Sequence, residues 1–147
     1  MVYACWLFRR WKINNIDIIF QNKNFIVFNK PNGLLTHPNS KSKEETLRDY
    51  LIKIKPELKG WGENHREGIV HRLDRVTSGL IVCALEEETF ISLKNQFKER
   101  KVNKKYLAII QGHLSSETGK IELPLKRSES NRSKRAVIKN GRLSISE

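Results

Sequence analysis

The chain has 147 residues, enough for one domain with a modest hydrophobic core. Its 28 Lys and Arg exceed its 16 Asp and Glu and give a formal net charge of +12, which favours a polyanionic partner such as nucleic acid; a solvated Lys-rich surface is the equally weighted alternative. The apolar runs are shorter than the ~18 residues that span a bilayer, which excludes a membrane-spanning protein. The isolated Cys5 and Cys83 exclude a disulfide-rich secreted protein, so a cytoplasmic protein is indicated.

The first half of the chain predicts two strands and a helix. Residues 17–20 and 25–28 are apolar and β-branched and are joined by a polar turn, which is typical of paired strands. Residues 46–55 predict a short helix, because Thr46 can cap its start and apolar side chains then recur at helical spacing. The polar stretch 60–68 is predicted to be a loop.

Residues 71–80, His-Arg-Leu-Asp-Arg-Val-Thr-Ser-Gly-Leu, are the most informative segment of the chain. Asp74 lies between Arg72 and Arg75, whose positive charges favour the ionised carboxylate. An ionised, positioned Asp can act as a nucleophile or a general base. The β-branched run 80–84 predicts a buried strand, so the polar residues before it form a loop that enters that strand. From these residues alone, a surface ion-pair loop is the commoner interpretation.

The second half of the chain predicts further mixed structure. Residues 86–98 indicate a helix with acidic residues in its first turn and aromatic and Leu side chains on one face. Residues 105–111 and 120–123 are predicted to be strands. Residues 126–135 are dense in charge and hydroxyls, and predict either an RNA-binding loop or a flexible solvated loop. Together the elements predict one α+β domain around a largely antiparallel or mixed sheet with flanking helices.

Residues 71–80 resemble the HRLD-x-x-TSGL signature of the RluA-type RNA pseudouridine synthases, and four more segments follow the same family in order. These segments are the NKPxG-HP element at 26–38, Gly-Ile-Val at 68–70, F-x-x-R-x-V-x-K-x-Y-x-A at 97–108 and I-x-x-P-L at 121–125. The resemblance implies a pseudouridine synthase catalytic domain over residues 16–147. Residues 1–15 are then an N-terminal extension without a recognisable S4-like RNA-binding module.

The resemblance also implies a reaction and its central residues. The family breaks the glycosidic bond of a uridine in RNA, turns the base and rejoins it through its 5-carbon, without a metal or a redox cofactor. Asp74 matches the family's catalytic nucleophile. Tyr106 matches its active-site Tyr, although periodicity alone favours a core aromatic in a strand. Arg72 matches the Arg that helps to occupy the space left by the flipped base, whose unstacking costs a few kcal/mol.

The remaining candidate residues are expected to contact the substrate or the RNA backbone. They are Arg75, Thr77, Ser78, His71 and Lys30. The resemblance makes Lys30 a structural or RNA-facing residue and not a catalyst. His37 and His71 have no further ligand at a recognisable spacing, so each is expected to be a hydrogen-bonded loop His and no metal site is predicted. The implied partner is RNA, most simply ribosomal RNA.

The end of the chain departs from the family pattern. The sequence stops at Glu147, where the family's domain continues with further strands and with the basic residue that pairs with the catalytic Asp. We therefore expect an incomplete catalytic domain, either a partial gene product or one half of a split enzyme with a complementing C-terminal fragment. The alternative is a catalytically inactive RNA-binding remnant.

Overall fold

The computed structural model describes residues 16–39, 43–62, 66–131 and 134–147. The chain divides into two compact units, one that ends at Lys104 and one from Lys105 to Glu147. Each unit contains a three-stranded antiparallel sheet, so the predicted α+β class and antiparallel pairing are confirmed, while the strands form two sheets and not one. The predicted N-terminal extension, residues 1–15, lies outside the described residues.

The first sheet has the order β1-β2-β3. Strand β1 is Asp17–Gln21, β2 is Phe25–Lys30 and β3 is Gly79–Ala84, and both pairs are antiparallel. The side chain of Asn22 closes the β1–β2 turn, because its Oδ1 accepts hydrogen bonds from the amides two and three residues ahead, at 2.8 and 2.9 Å. Both predicted strands are thus confirmed, and β2 runs two residues further than predicted.

Strand β3 is buried mainly on one face. Ile81 and Cys83 are fully buried, whereas Leu80 is 60% exposed. The opposing strand alternates in the same way, with Ile26 and Phe28 in the core. The sequence predicted a strand buried throughout, and this is wrong for Leu80 because antiparallel sheets commonly bury a single face.

Helix α1, Leu47–Ile54, begins with the cap that the sequence predicted. Thr46 and Asp49 form a capping box: the Thr46 amide donates to Asp49 Oδ2 at 2.9 Å, and the Asp49 amide donates to Thr46 Oγ1 at 3.4 Å. The helix buries Leu47 and Leu51 in the core of the first unit. Capping and burial together explain why so short a helix is stable here.

Helix α2, Glu87–Lys98, confirms the second helix prediction to within one residue. A 3₁₀ turn, Pro56–Leu58, precedes Trp61, whose ring meets that of Phe90 edge-on at a centroid distance of 5.4 Å. Phe90 is thereby the buried residue of α2. No helix among the described residues is long and apolar enough to cross a membrane.

The second unit contains strands β4 (Ile121–Arg127), β5 (Arg135–Val137) and β6 (Arg142–Ser146). Their order is β5-β4-β6, and both pairs are antiparallel. The strand predicted at 120–123 is confirmed and is longer than expected. None of the described residues from 105 onward is buried, so this unit has a sheet without a core of its own.

The predicted strand at 105–111 is wrong. These residues pair with no other strand in the part of the chain that the structure describes. Leu107 and Ile109 are fully exposed. Apolar alternation indicates a strand only if a neighbouring strand supplies backbone partners, and a sequence window does not show whether one is present.

The charged segment 126–135 is a hairpin and not simply a loop. Its first two residues end β4 and its last begins β5, and the Ser128 amide donates to the Lys134 carbonyl at 3.0 Å. Residues 132–133 lie outside the described residues. Both faces of this hairpin are largely exposed, so its sequence lacks the apolar alternation from which a strand is predicted.

Candidate active site

Residues 71–78 form a loop that enters β3, as predicted. The chain just before the loop already lies beside that strand, since Ile69 forms an antiparallel bridge with Cys83 and the Ala84 amide donates to the Gly68 carbonyl at 2.9 Å. Gly68 has a φ of 82°, and a Cβ there would lie 2.1 Å from the Ala84 carbonyl oxygen. Only glycine permits this close approach.

A buried ion pair fixes the start of the same segment. Glu67 is fully buried, and its carboxylate oxygens accept hydrogen bonds from Arg48 Nε and Nη2, each at 2.5 Å, and from the Gly60 amide at 3.2 Å. The hydrogen bond to Glu67 is the main cause that raises the pKa of Arg48. Sequence reasoning missed this pair, because each residue alone resembles an ordinary surface charge.

The carboxylate of Asp74 is open to solvent. Its side chain is 82% exposed, and Arg72 Nη2 lies 3.8 Å from Asp74 Oδ1 with a side chain that is 69% exposed. Arg75 donates to Glu44 Oε2 at 2.8 Å. Arg72 thus forms an ion pair with Asp74, and an exposed pair at this distance contributes little to stability. The site presents a carboxylate and a cation that a large substrate can reach.

Lys30 lies beneath this loop and is fully buried. Its Nζ donates to the carbonyls of Pro31 at 3.0 Å, Leu34 at 2.8 Å and Arg75 at 3.4 Å. Burial lowers the pKa of Lys30 to about 8, and the charge of Asp74 opposes that shift. The burial favours the structural role of Lys30 over the RNA-facing one.

His71 is held by the strand that the loop enters. Its Nε2 accepts a hydrogen bond from the Val82 amide at 3.0 Å, and its ring stacks on Phe97 at a centroid distance of 4.4 Å. Burial, and to a smaller degree the charge of Lys104, lowers the pKa of His71 to about 4. The imidazole is neutral near pH 7 and accepts a backbone hydrogen bond, so its contacts are those of a loop-anchoring residue.

His37 also lies in a cationic environment. Burial, then the charges of Arg66 and Arg72, lowers the pKa of His37 to about 4. Among the residues described in the structure, no three His, Cys, Asp or Glu side chains are grouped closely enough to hold a metal ion.

The other predicted site residues differ in their surroundings. The Thr77 amide donates to the Asp74 carbonyl at 3.0 Å and closes the turn, while Ser78 is exposed. Tyr106 is 62% exposed and belongs to the second unit, from Lys105 to Glu147. The structure therefore brings together Lys30, Arg72, Asp74 and the loop backbone within the first unit.

Comparison with known proteins shows consistent similarity. A family model described as RNA pseudouridylate synthase matches residues 24–146. The ribosomal large subunit pseudouridine synthase D of Borreliella burgdorferi is 40% identical over 135 residues, which are 90% of this chain and 41% of that protein. The protein of the same name from Zymomonas mobilis is 38% identical over 128 residues, 86% of this chain and 40% of that one.

A solved structure agrees with these matches. Human RNA Pseudouridylate Synthase Domain Containing 1 has a TM-score of 0.69 and 25% identity, over 89% of this chain and 50% of that one. This chain thus spans about two fifths of the length of the curated relatives and half of the solved chain. Because the family model matches most of the sequence, through the Asp74 loop and the β4 to β6 sheet, the chain belongs to the RNA pseudouridylate synthase family, in its RluA-type branch.

Proposed function

We propose that this chain takes part in the isomerisation of uridine to pseudouridine in RNA, with Asp74 as the nucleophile. The observation that carries the proposal is the exposed Asp74 carboxylate, 82% accessible, on a loop whose backbone is anchored on both sides. An RNA substrate is large, and its flipped uridine can reach a carboxylate only where the surrounding surface is open. Membership of the family supplies the chemistry that such a carboxylate performs.

Other residues have roles that fit their surroundings. Arg72, exposed beside Asp74, is proposed to occupy the space of the flipped base or to contact a phosphate. Tyr106, whose phenol is accessible, is proposed to lie against the target base and assist proton movement. Thr77, Ser78 and Arg75 are proposed to contact the substrate strand at the rim of the loop.

Ribosomal RNA is the proposed substrate, and the cytoplasm the proposed location. Two relatives carry the name ribosomal large subunit pseudouridine synthase D. The net charge of +12 suits a polyanion, and binding is expected to weaken steeply with salt, because phosphate contacts release counterions.

We also propose that residues 16–147 are part of a larger catalytic domain. The solved relative has a chain twice as long as the matched region. In the unit that carries Tyr106, no described residue is buried, and apolar side chains such as Leu107 and Ile109 are fully exposed. A complementing segment, in the same protein or in a separate polypeptide, would cover these side chains. The same observation favours a second candidate function, a catalytically inactive RNA-binding remnant.

The deciding experiment is tritium release from RNA that carries uridine labelled at the 5-position. Wild type is compared with Asp74→Asn and with the matched control Asp17→Asn, which changes an exposed carboxylate on β1. Each is assayed alone and with the polypeptide that corresponds to the unmatched part of the Borreliella protein. We expect release that requires Asp74 and not Asp17, with RNA binding unchanged in both variants. RNA binding without release under either condition would instead establish the remnant.

A further inference from the structure

The position of Asp74 depends on the backbone of its loop. Its side chain is almost wholly exposed, and its ion pair with Arg72, at 3.8 Å, joins two solvated groups. Such a pair pays side-chain entropy and is screened by water, so it holds neither partner in one place. The hydrogen bonds of the backbone around Asp74 therefore decide where the carboxylate lies.

Four consecutive carbonyls, those of residues 73–76, all accept hydrogen bonds. The carbonyl of Asp74 is bonded within the loop, by the Thr77 amide at 3.0 Å. The other three accept from the segment 30–36. These bonds are Thr36 Oγ1 to Leu73 at 2.9 Å, Gly33 amide to Arg75 at 2.7 Å and Asn32 Nδ2 to Val76 at 2.6 Å.

The segment 30–36 is itself fixed to helix α1. The carbonyls of Leu35 and Thr36 accept hydrogen bonds from the amides of Leu47 and Arg48, at 2.9 and 3.1 Å. These are the first amides of α1, which have no acceptor within the helix. The Thr36 side chain is buried, so water does not compete for its hydroxyl. The bond from Thr36 thus connects the helix to the residue just before Asp74.

We propose that Thr36 and Asn32 are positioning residues of the Asp74 site, which hold the loop backbone on the two sides of the carboxylate. The inference rests on the proposed nucleophilic role of Asp74. Thr36 bonds the residue before Asp74, and Asn32 bonds the second residue after it, so the two side chains bracket the carboxylate. Catalysis is sensitive to such placement, because a misplacement of about 1 Å can lower a rate about a hundredfold.

The test uses isosteric variants of both residues. Thr36→Val removes the hydroxyl and keeps the volume, Thr36→Ser keeps the hydroxyl, and Asn32→Leu removes the donor without adding a charge. The matched control is Thr89→Val on α2. The Thr89 hydroxyl donates to Glu86 Oε1 at 2.9 Å and takes no part in the Asp74 loop. Backbone amide hydrogen exchange of the full chain is measured together with kcat and KM for tritium release.

We expect Thr36→Val to raise exchange at the Thr77 amide about tenfold. Asn32→Leu should raise it less, because the Asn32 hydrogen bond is exposed and water can replace it. We expect kcat to fall about ten- to a hundredfold, with KM nearly unchanged, because the carboxylate is misplaced while RNA contacts persist. Thr36→Ser, which keeps the hydroxyl, should leave both the exchange at Thr77 and kcat near their wild-type values. Thr89→Val should change neither.

Three results would overturn the inference: unchanged exchange at Thr77 in both site variants, a rise spread evenly over residues 16–104, or an equal rise in the Thr89 control. Absence of tritium release from the wild type, alone and complemented, would count against the proposed function. The exchange measurements would then still decide whether Thr36 and Asn32 hold the loop.

Discussion

Acid should destabilise the first unit because His71 is neutral in the fold. Its pKa is lowered from 6.5 to about 4, chiefly by burial, and its Nε2 accepts the Val82 amide, which a protonated ring could not do. As the pH falls through 6.5, the unfolded chain binds the proton first. The stability is therefore complete above about pH 6.5 and is lost as the pH falls toward 4.

The size of the loss follows from the two pKa values. Full titration of His71 would remove about 3 kcal/mol, and at pH 5 the loss is about 2 kcal/mol. The ring is partly exposed, so screening by solvent reduces this to about 1–2 kcal/mol. His37, whose pKa is also lowered to about 4 by burial and neighbouring arginines, should contribute a similar amount.

The assay is urea unfolding at pH 7.5 and pH 5, followed by helical circular dichroism, since both helices lie in the first unit. His71→Gln keeps an acceptor for the Val82 amide but cannot titrate. It should cost about 1 kcal/mol at pH 7.5, because the stack on Phe97 is lost, yet lose only about half as much stability as wild type at pH 5. His113→Gln, an exposed site in the second unit, is the control and should behave as wild type. If His71→Gln lost as much stability at pH 5 as wild type does, titration of His71 would not be a cause of the acid destabilisation.

Two further substitutions test the anchors of the loop by urea unfolding. Gly68→Ala should destabilise the fold by about 3 kcal/mol or more, because its Cβ would clash with the Ala84 carbonyl. Gly60→Ala, with a φ of 78° and open space around it, should cost only about 1 kcal/mol. Equal losses in the two variants would contradict the clash. Arg48→Met should cost about 3–5 kcal/mol, because the fully buried Glu67 carboxylate loses its charged partner and keeps only the Gly60 amide among the contacts described above. Glu67→Gln should cost less, since the Arg48 side chain is 22% exposed and can reach water. A larger loss in Glu67→Gln than in Arg48→Met would show that burial of the remaining charge does not set the loss of stability.

Short-range signals account for the correct predictions. Thr46 and Asp49 are three residues apart, so both halves of the capping box of α1 lie within one short stretch of sequence. The strands around Phe28 and Ile81 show as apolar, β-branched runs, and the loop with Asp74 shows as a polar interruption before one of them. The strand predicted at 105–111 was wrong because apolar alternation is a local signal, whereas a strand also needs a neighbouring strand to bond with.

Four features could be predicted from the sequence alone: the family resemblance, the α+β class, both helices and the loop that carries Asp74. Each of these rests on residue types within a window of a few turns or on an ordered motif. The three-dimensional structure was needed to show that Lys30 is a buried ammonium, that Glu67 pairs with Arg48 across 19 residues, and that Thr36 bonds Leu73 across 37. Such pairs depend on how the chain returns on itself, because burial and hydrogen-bond geometry arise only when distant segments meet.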